Sequence, residues 1–197
     1  MDVFLKCFEY EDAEKIRKIG LYPYFRVIES GQDPVVTMNG QRVIMLGSNN
    51  YLGLTNHPEI KAAAARALET YGTGVAGSRF LNGTLDIHVE LEEKLARFMH
   101  RESVLTFPTG FQVNLGVISG LIGRKDVVIL DNLDHACILD GARLSFGRVL
   151  KYGHNDMDAL EERLRSVEDD RSAMIVVDGV FSMEGDLADL PRIVELK

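Results

Sequence analysis

The sequence predicts an α/β fold in which a mostly parallel sheet is covered by helices, and three observations carry that prediction. After Met99, short apolar runs alternate with stretches of helical spacing. One run, Val127 to Leu130, is apolar at every position, as in a strand buried on both faces. The segments after the runs are polar and often glycine-bearing, as in Asp178-Gly-Val-Phe-Ser-Met-Glu-Gly-Asp186.

Residues up to about Arg17 alternate charged and apolar side chains and read as an amphipathic leading helix, broken by glycine and proline between Gly20 and Phe25. Val35 to Met38 and Arg42 to Leu46 flank Asn39-Gly40, a pair suited to the positive φ angles of a tight hairpin turn. The second strand runs into Gly47-Ser-Asn-Asn-Tyr-Leu-Gly-Leu54. Residues 1–57 therefore form an arm and hairpin segment, and a helix-and-sheet domain begins at residue 58 and continues to residue 197.

Pro58 to Tyr71 is an alanine-rich helix opened by proline, and Ile87, Leu91, Leu95 and Phe98 recur at helical spacing in the next helix. A glycine-rich loop, Gly72 to Gly83, separates the two. Strands are expected at Val104 to Phe107, Val127 to Leu130, Val149 to Tyr152 and Met174 to Val177. Helices are expected at Phe111 to Leu121, His135 to Leu144 and Met157 to Val167, the last with Asn155 as its N-cap and Asp158 in its first turn. The charged run Glu168 to Arg171 reads as a solvated loop.

Bulk properties exclude several classes. With 197 residues, 46% of them hydrophobic, the chain can bury a core and is not disordered by composition. A net charge of -8 leaves no basic stripe for a nucleic acid. Cys7 and Cys137 have no metal-ligand spacing and suit a reduced compartment, without disulfide or zinc. No stretch approaches the ~20 apolar residues of a membrane span, so a cytoplasmic location is expected.

Ligands of open α/β sheets gather beyond the carboxyl ends of the strands. There Phe107-Pro-Thr-Gly-Phe111 is either an ordinary strand-to-helix turn or an anion site at a helix N-terminus. His135, in Asp131-Asn-Leu-Asp-His135, is either a helix-cap residue or a ring presented to an aromatic ligand. The Asp178–Asp186 segment is either a long connection with a capping aspartate or a loop offering the Ser182 hydroxyl. Two further loops, Ser48–Leu54 and Gly72–Gly83, allow close backbone approach and carry Asn50 and the fork of Arg79. No nucleophile elbow or P-loop is present.

Taken in order, Asn50-Tyr-Leu-Gly-Leu54, Gly77-Ser-Arg-Phe-Leu-Asn-Gly-Thr84, Phe107-Pro-Thr-Gly-Phe111, Asp134-His-Ala136, His154-Asn-Asp156 and Gly179-Val-Phe-Ser-Met183 followed by Gly185-Asp186 resemble the α-oxoamine synthases. The resemblance spans about Tyr22 to the end and implies the large domain of a fold-type I, aspartate aminotransferase-like transferase that uses pyridoxal 5'-phosphate (PLP). It implies a decarboxylative Claisen-type condensation of an amino acid with an acyl-CoA in a homodimer, serine with a long acyl-CoA being the leading pair. Glycine with acetyl-CoA and alanine with a pimeloyl thioester are the near alternatives.

By the same resemblance Thr109, Gly110 and Phe111 hold the cofactor phosphate, and His135 is the catalytic residue, stacking on the pyridine ring and orienting the substrate. Ser182 bonds near the ring hydroxyl, Asn50 contacts the substrate carboxylate, and Arg79 lies near the dimer interface in the substrate site. The family's Asp-Glu-Ala-His segment and Schiff-base lysine are not among these residues, and Lys197 does not match the lysine position. The 197 residues are thus expected to be catalytically incomplete alone. A non-catalytic partner subunit and an aminotransferase of the same fold are the competing readings.

Overall fold

The computed structural model describes residues 2–197, which form two compact units, one ending at Thr84 and one spanning Leu85–Lys197.

In the first unit the leading segment is two short helices, α1 (Leu5–Phe8) and α2 (Asp12–Lys18), rather than one. Neither buries a residue, so no packing joins them across Glu9-Tyr10-Glu11. The hairpin pairs β1 (Val35–Met38) with β2 (Gln41–Ile44), antiparallel, with Met38 opposite Gln41. Asn39 and Gly40 between them have φ of 50° and 70°, the two positive values a type I′ turn needs. Helix α3 (Pro58–Tyr71) has proline in its first turn and ends at Gly72, with φ 79°. Gly83 of the following loop has a steric reason: a Cβ on it would sit 1.9 Å from the Gly77 carbonyl oxygen. The loop backbone crosses itself there more closely than any side chain permits.

The second unit opens with α4 (Asp86–Phe98) and α5 (Gly110–Leu121) and then alternates β3 (Val127–Asp131), α6 (Ala136–Leu144), β4 (Arg148–Tyr152), α7 (Met157–Arg165), β5 (Ala173–Val176) and α8 (Leu190–Leu196). The three strands are parallel in the order β4-β3-β5, Val127 pairing with both Arg148 and Ala173. The central strand β3 is buried at every residue. One side of the sheet packs Val128 and Leu130 against Ile118 of α5 and Ile138 and Ala142 of α6. The other packs Val127 and Ile129 against Leu160 of α7 and Ile193 of α8, with Tyr152 and Phe181. This is the βαβ logic of a parallel sheet with helices on both faces.

Two expectations are corrected. Val104–Phe107 is not a strand: it lies outside both sheets, so its backbone has no ladder partner, and Thr106 is instead bonded through N and Oγ1 to Glu92 Oε1, each at 2.9 Å. The N-cap of α7 is Asp156, whose Oδ1 accepts from Ala159 N at 2.9 Å, and not Asn155. Asn155 has φ 51°, outside the extended region a cap occupies, and its side chain is engaged elsewhere. The same helix stops at Arg165, short of Val167.

Candidate active site

The strands β3, β4 and β5 end on the same side of the sheet, and the polar residues of the second unit collect there. Thr109 caps α5: its side chain accepts from Gln112 N at 3.2 Å. The amides of Gly110 and Phe111, which an α-helix cannot bond internally, are left for another acceptor. Gly110 is exposed, with no atom within 4 Å of where a Cβ would stand. These residues can hold an anionic group by backbone N–H donation and the helix dipole.

His135 is the N-cap of α6, as the plainer reading of the sequence had it, and its ring is nevertheless exposed. Its Nδ1 accepts from Cys137 N at 3.1 Å, so the proton of the neutral ring resides on Nε2. Cys137 Sγ lies 2.9 Å from the same nitrogen, and Asn114 Nδ2 of α5 donates to that sulfur at 3.0 Å. The His135 backbone N–H donates to Asp178 Oδ2 at 2.8 Å, joining the start of α6 to the segment after β5. The capping bond uses one edge of the ring and leaves its face able to stack.

Two buried aspartates tie the strand ends together. Asp134 accepts from Asp131 N at 2.9 Å and Asp178 N at 3.0 Å, bridging β3 to β5. Burial raises its pKa to about 7, against the opposing effect of those two backbone donors, and the neighbouring charges of Asp131 and Asp178 add to the rise. Asp131, fully buried at the end of β3, accepts from Leu133 N and Asn155 N, each at 2.9 Å, and faces His154.

Ser182 is exposed on a loop closed by the Val180–Leu187 bridge and by bonds between Phe181 and Asp186 and between Gly185 and Phe181. The aspartate that caps α8 is Asp189, three residues beyond the Asp178–Asp186 segment in which a capping aspartate was expected. In the first unit, Asn50 holds its own loop: its Nδ2 donates to Gln32 O at 3.3 Å and its Oδ1 accepts from Thr55 N at 3.2 Å. Arg79 is half-buried in the glycine loop, where its carbonyl accepts from Thr84 Oγ1 at 2.6 Å.

The structure therefore brings Thr109, Gly110, Phe111, His135 and Ser182 into one compact unit, and Asn50 and Arg79 into the other. The sequence reading assigned no role to Asp131, Asp134, Asp178, His154 or Asp186. Asp131 had the clearest available signal, a carboxylate at the end of an otherwise apolar strand, which must find donors once buried.

The site thus combines a parallel sheet, a helix N-terminus with two amides open to an acceptor, and an exposed histidine after β3. The chain belongs to the aminotransferase class I and II family, whose profile matches residues 41–197. Within it, the chain is 56% identical to a serine palmitoyltransferase of Sphingobacterium spiritivorum over 93% of its own length and 46% of the relative. It is 49% identical to an 8-amino-7-oxononanoate synthase of Thermoanaerobacter pseudethanolicus over 94% of its length and 47% of that relative. A solved serine palmitoyltransferase from S. paucimobilis with bound PLP and myriocin superposes with a TM-score of 0.93 at 35% identity, over all of this chain and 50% of the other. The fold is that of the fold-type I transferases, and the chain spans about half the length of the relatives it matches. No helix among the described residues is long and apolar enough to cross a membrane.

Proposed function

We propose that the protein is a PLP-dependent acyltransferase that condenses L-serine with palmitoyl-CoA, with loss of the serine carboxyl group, to a 3-keto sphingoid base. The observation that carries this reading is the 56% identity to a serine palmitoyltransferase across nearly the whole chain, above the 49% to an oxononanoate synthase.

The residues present fit the cofactor. Thr109, Gly110 and Phe111 would take its phosphate on the two uncommitted amides, and His135 would lie against its ring with its Nε2–H directed by the Cys137 cap. Ser182 would donate near the ring hydroxyl. When bound, PLP supplies an electron sink for charge that develops at the amino-acid α-carbon. This chain's residues bind and orient: Asn50 meets the substrate carboxylate, and Arg79 adds a guanidinium fork beside the substrate at the interface of a homodimer. Within this assignment residues 1–57 are an arm and hairpin segment, and residues 58–197 are the first part of the cofactor domain. An acyl-CoA donor suits a cytoplasmic site of action.

The test uses protein from the complete reading frame, purified with PLP, and follows CoA thiol release. Serine, glycine and alanine are each offered with palmitoyl, acetyl and pimeloyl donors. Release with serine and palmitoyl-CoA supports the proposal. Release with alanine and a pimeloyl donor reassigns the protein to the oxononanoate reaction, the reading favoured by the 49% relative. No release with any pair points to a non-catalytic partner subunit.

A further inference from the structure

The His154-Asn155-Asp156 segment has no part in the reaction as proposed, yet its side chains join the ends of β3 and β4 to the loop that carries Ser182. The ring of His154 has Nδ1 3.0 Å from Asp131 Oδ1 and Nε2 2.9 Å from Asp186 Oδ2. Carboxylate oxygens only accept, so both contacts are hydrogen bonds when both ring nitrogens carry protons, that is, in the imidazolium. Asp131 is fully buried, and a protonated His154 is the cation that would pair with it.

Asp186 closes the Ser182 loop, its carbonyl accepting from Phe181 N at 2.9 Å while Gly185 N donates to Phe181 O at 2.8 Å. The buried Phe181 ring stands edge-on to His154 with centroids 4.4 Å apart. Asn155 reinforces the junction, its Nδ2 donating to Leu187 O at 3.0 Å and to Asp186 Oδ2 at 3.3 Å.

We infer that His154 is a positioning residue: as an imidazolium held between Asp131 and Asp186, it fixes the loop that presents Ser182 to the cofactor site, and loss of its proton frees that loop. The inference rests on the proposed role of Ser182. The charged groups facing the ring are Asp131 from β3 and Asp186 from the loop, and Phe181 supplies an apolar edge. The bonds to Asp186, then to Asp131, raise the His154 pKa above its ordinary value. The clamp is therefore complete below the unfolded-state value and is lost as pH rises through the folded one.

The experiment measures amide hydrogen exchange at Phe181 and Gly185, corrected for intrinsic rates, together with PLP affinity. It uses protein from the complete reading frame, with Ile129 of β3 as the global reference. Wild-type loop protection should fall about tenfold between about pH 6 and about pH 9 while Ile129 stays protected. His154→Gln should show the weak, pH-independent value throughout, with PLP bound about tenfold more weakly at the lower pH. Asp186→Ala, which leaves the buried Asp131–His154 pair intact, should do the same and covers failure of the first variant to fold. Loop protection that does not change with pH in the wild type, or is unchanged in both variants, overturns the clamp. Loop release without a change in PLP affinity overturns the positioning role. Should Ser182→Ala leave PLP affinity at the wild-type value, the reading of Ser182 has failed and the inference falls with it. Weakened binding in Ser182→Ala with wild-type behaviour in both clamp variants overturns the clamp alone.

Discussion

Gly141 lies in α6, six residues after His135, where that helix crosses α5. A Cβ there would meet Asn114 O at 2.6 Å, Ile118 Cδ1 at 3.1 Å and Asn114 C at 3.2 Å. Ordinary contact begins at 3.4 Å, so Gly141→Ala requires the two helices to part by about 0.8 Å, and the obstacle is backbone rather than a flexible side chain. Overpacking of this kind costs about 1–3 kcal/mol. Alanine's better helix propensity offsets up to about 1 kcal/mol of that. A net loss of about 1–2 kcal/mol is expected. The shift also moves His135, carried by α6, against the α5 N-terminus where the phosphate is proposed to bind. Displacement of about 1 Å can cost on the order of 100-fold in function, so PLP affinity should fall between about tenfold and 100-fold. Urea unfolding and a PLP absorbance titration measure the two effects. Gly120→Ala is the control: it is in α5 with nothing within 4 Å of the added Cβ, and should stabilise by about 0.5–1 kcal/mol. If Gly141→Ala behaves like Gly120→Ala in both assays, the close crossing of α5 and α6 is wrong.

Three further outcomes follow from the packing and the electrostatics. Leu160→Ala empties a fully buried position between α7 and the sheet and should cost about 2–5 kcal/mol in urea unfolding; a loss under about 1 kcal/mol would contradict that core. Thr109→Ala removes the α5 cap and should cost about 1 kcal/mol while weakening PLP binding, and unchanged stability would show that the cap bond to Gln112 carries nothing. Asp134 should make stability pH-dependent. Its folded pKa is raised from 3.8 to about 7, so the folded state holds a proton that the unfolded state has released between those values. Its contribution to stability is greatest below the unfolded value, declines as pH rises through that window and is constant above it. The stability difference between wild type and Asp134→Asn should track that decline, and a constant offset would contradict the buried, proton-holding carboxyl.

Much of the fold was legible because its signals are local. Pro58–Tyr71 begins at a proline and stops at a glycine, Asn39-Gly40 allows one kind of turn, and Val127–Leu130 is apolar throughout because β3 is buried on both faces. Val104–Phe107 has the same apolar character, but a strand exists only with a neighbour to bond, and composition does not disclose the neighbour. Asn155 and Asp156 are both good caps by type; the backbone settles the matter, since Asn155 takes a positive φ and Asp156 an extended one. The helix starts at Thr109 and His135 were legible, since each follows an apolar run or its loop. The ties of His154 to Asp131 and Asp186, and of Asp178 to Asp134 and His135, were not, because partners 23 to 44 positions apart leave no periodic trace.

The most direct test of the central claim is a carbon balance. Protein from the complete reading frame is given PLP, palmitoyl-CoA and serine labelled in its carboxyl carbon. Labelled carbon dioxide should be released in a manner that depends on the acyl-CoA, matched by one CoA per carbon dioxide and by a long-chain amino ketone containing the serine α- and β-carbons. Label retained in a keto acid formed without acyl-CoA, or no release with palmitoyl-CoA and turnover only with another donor and amino acid, would contradict it.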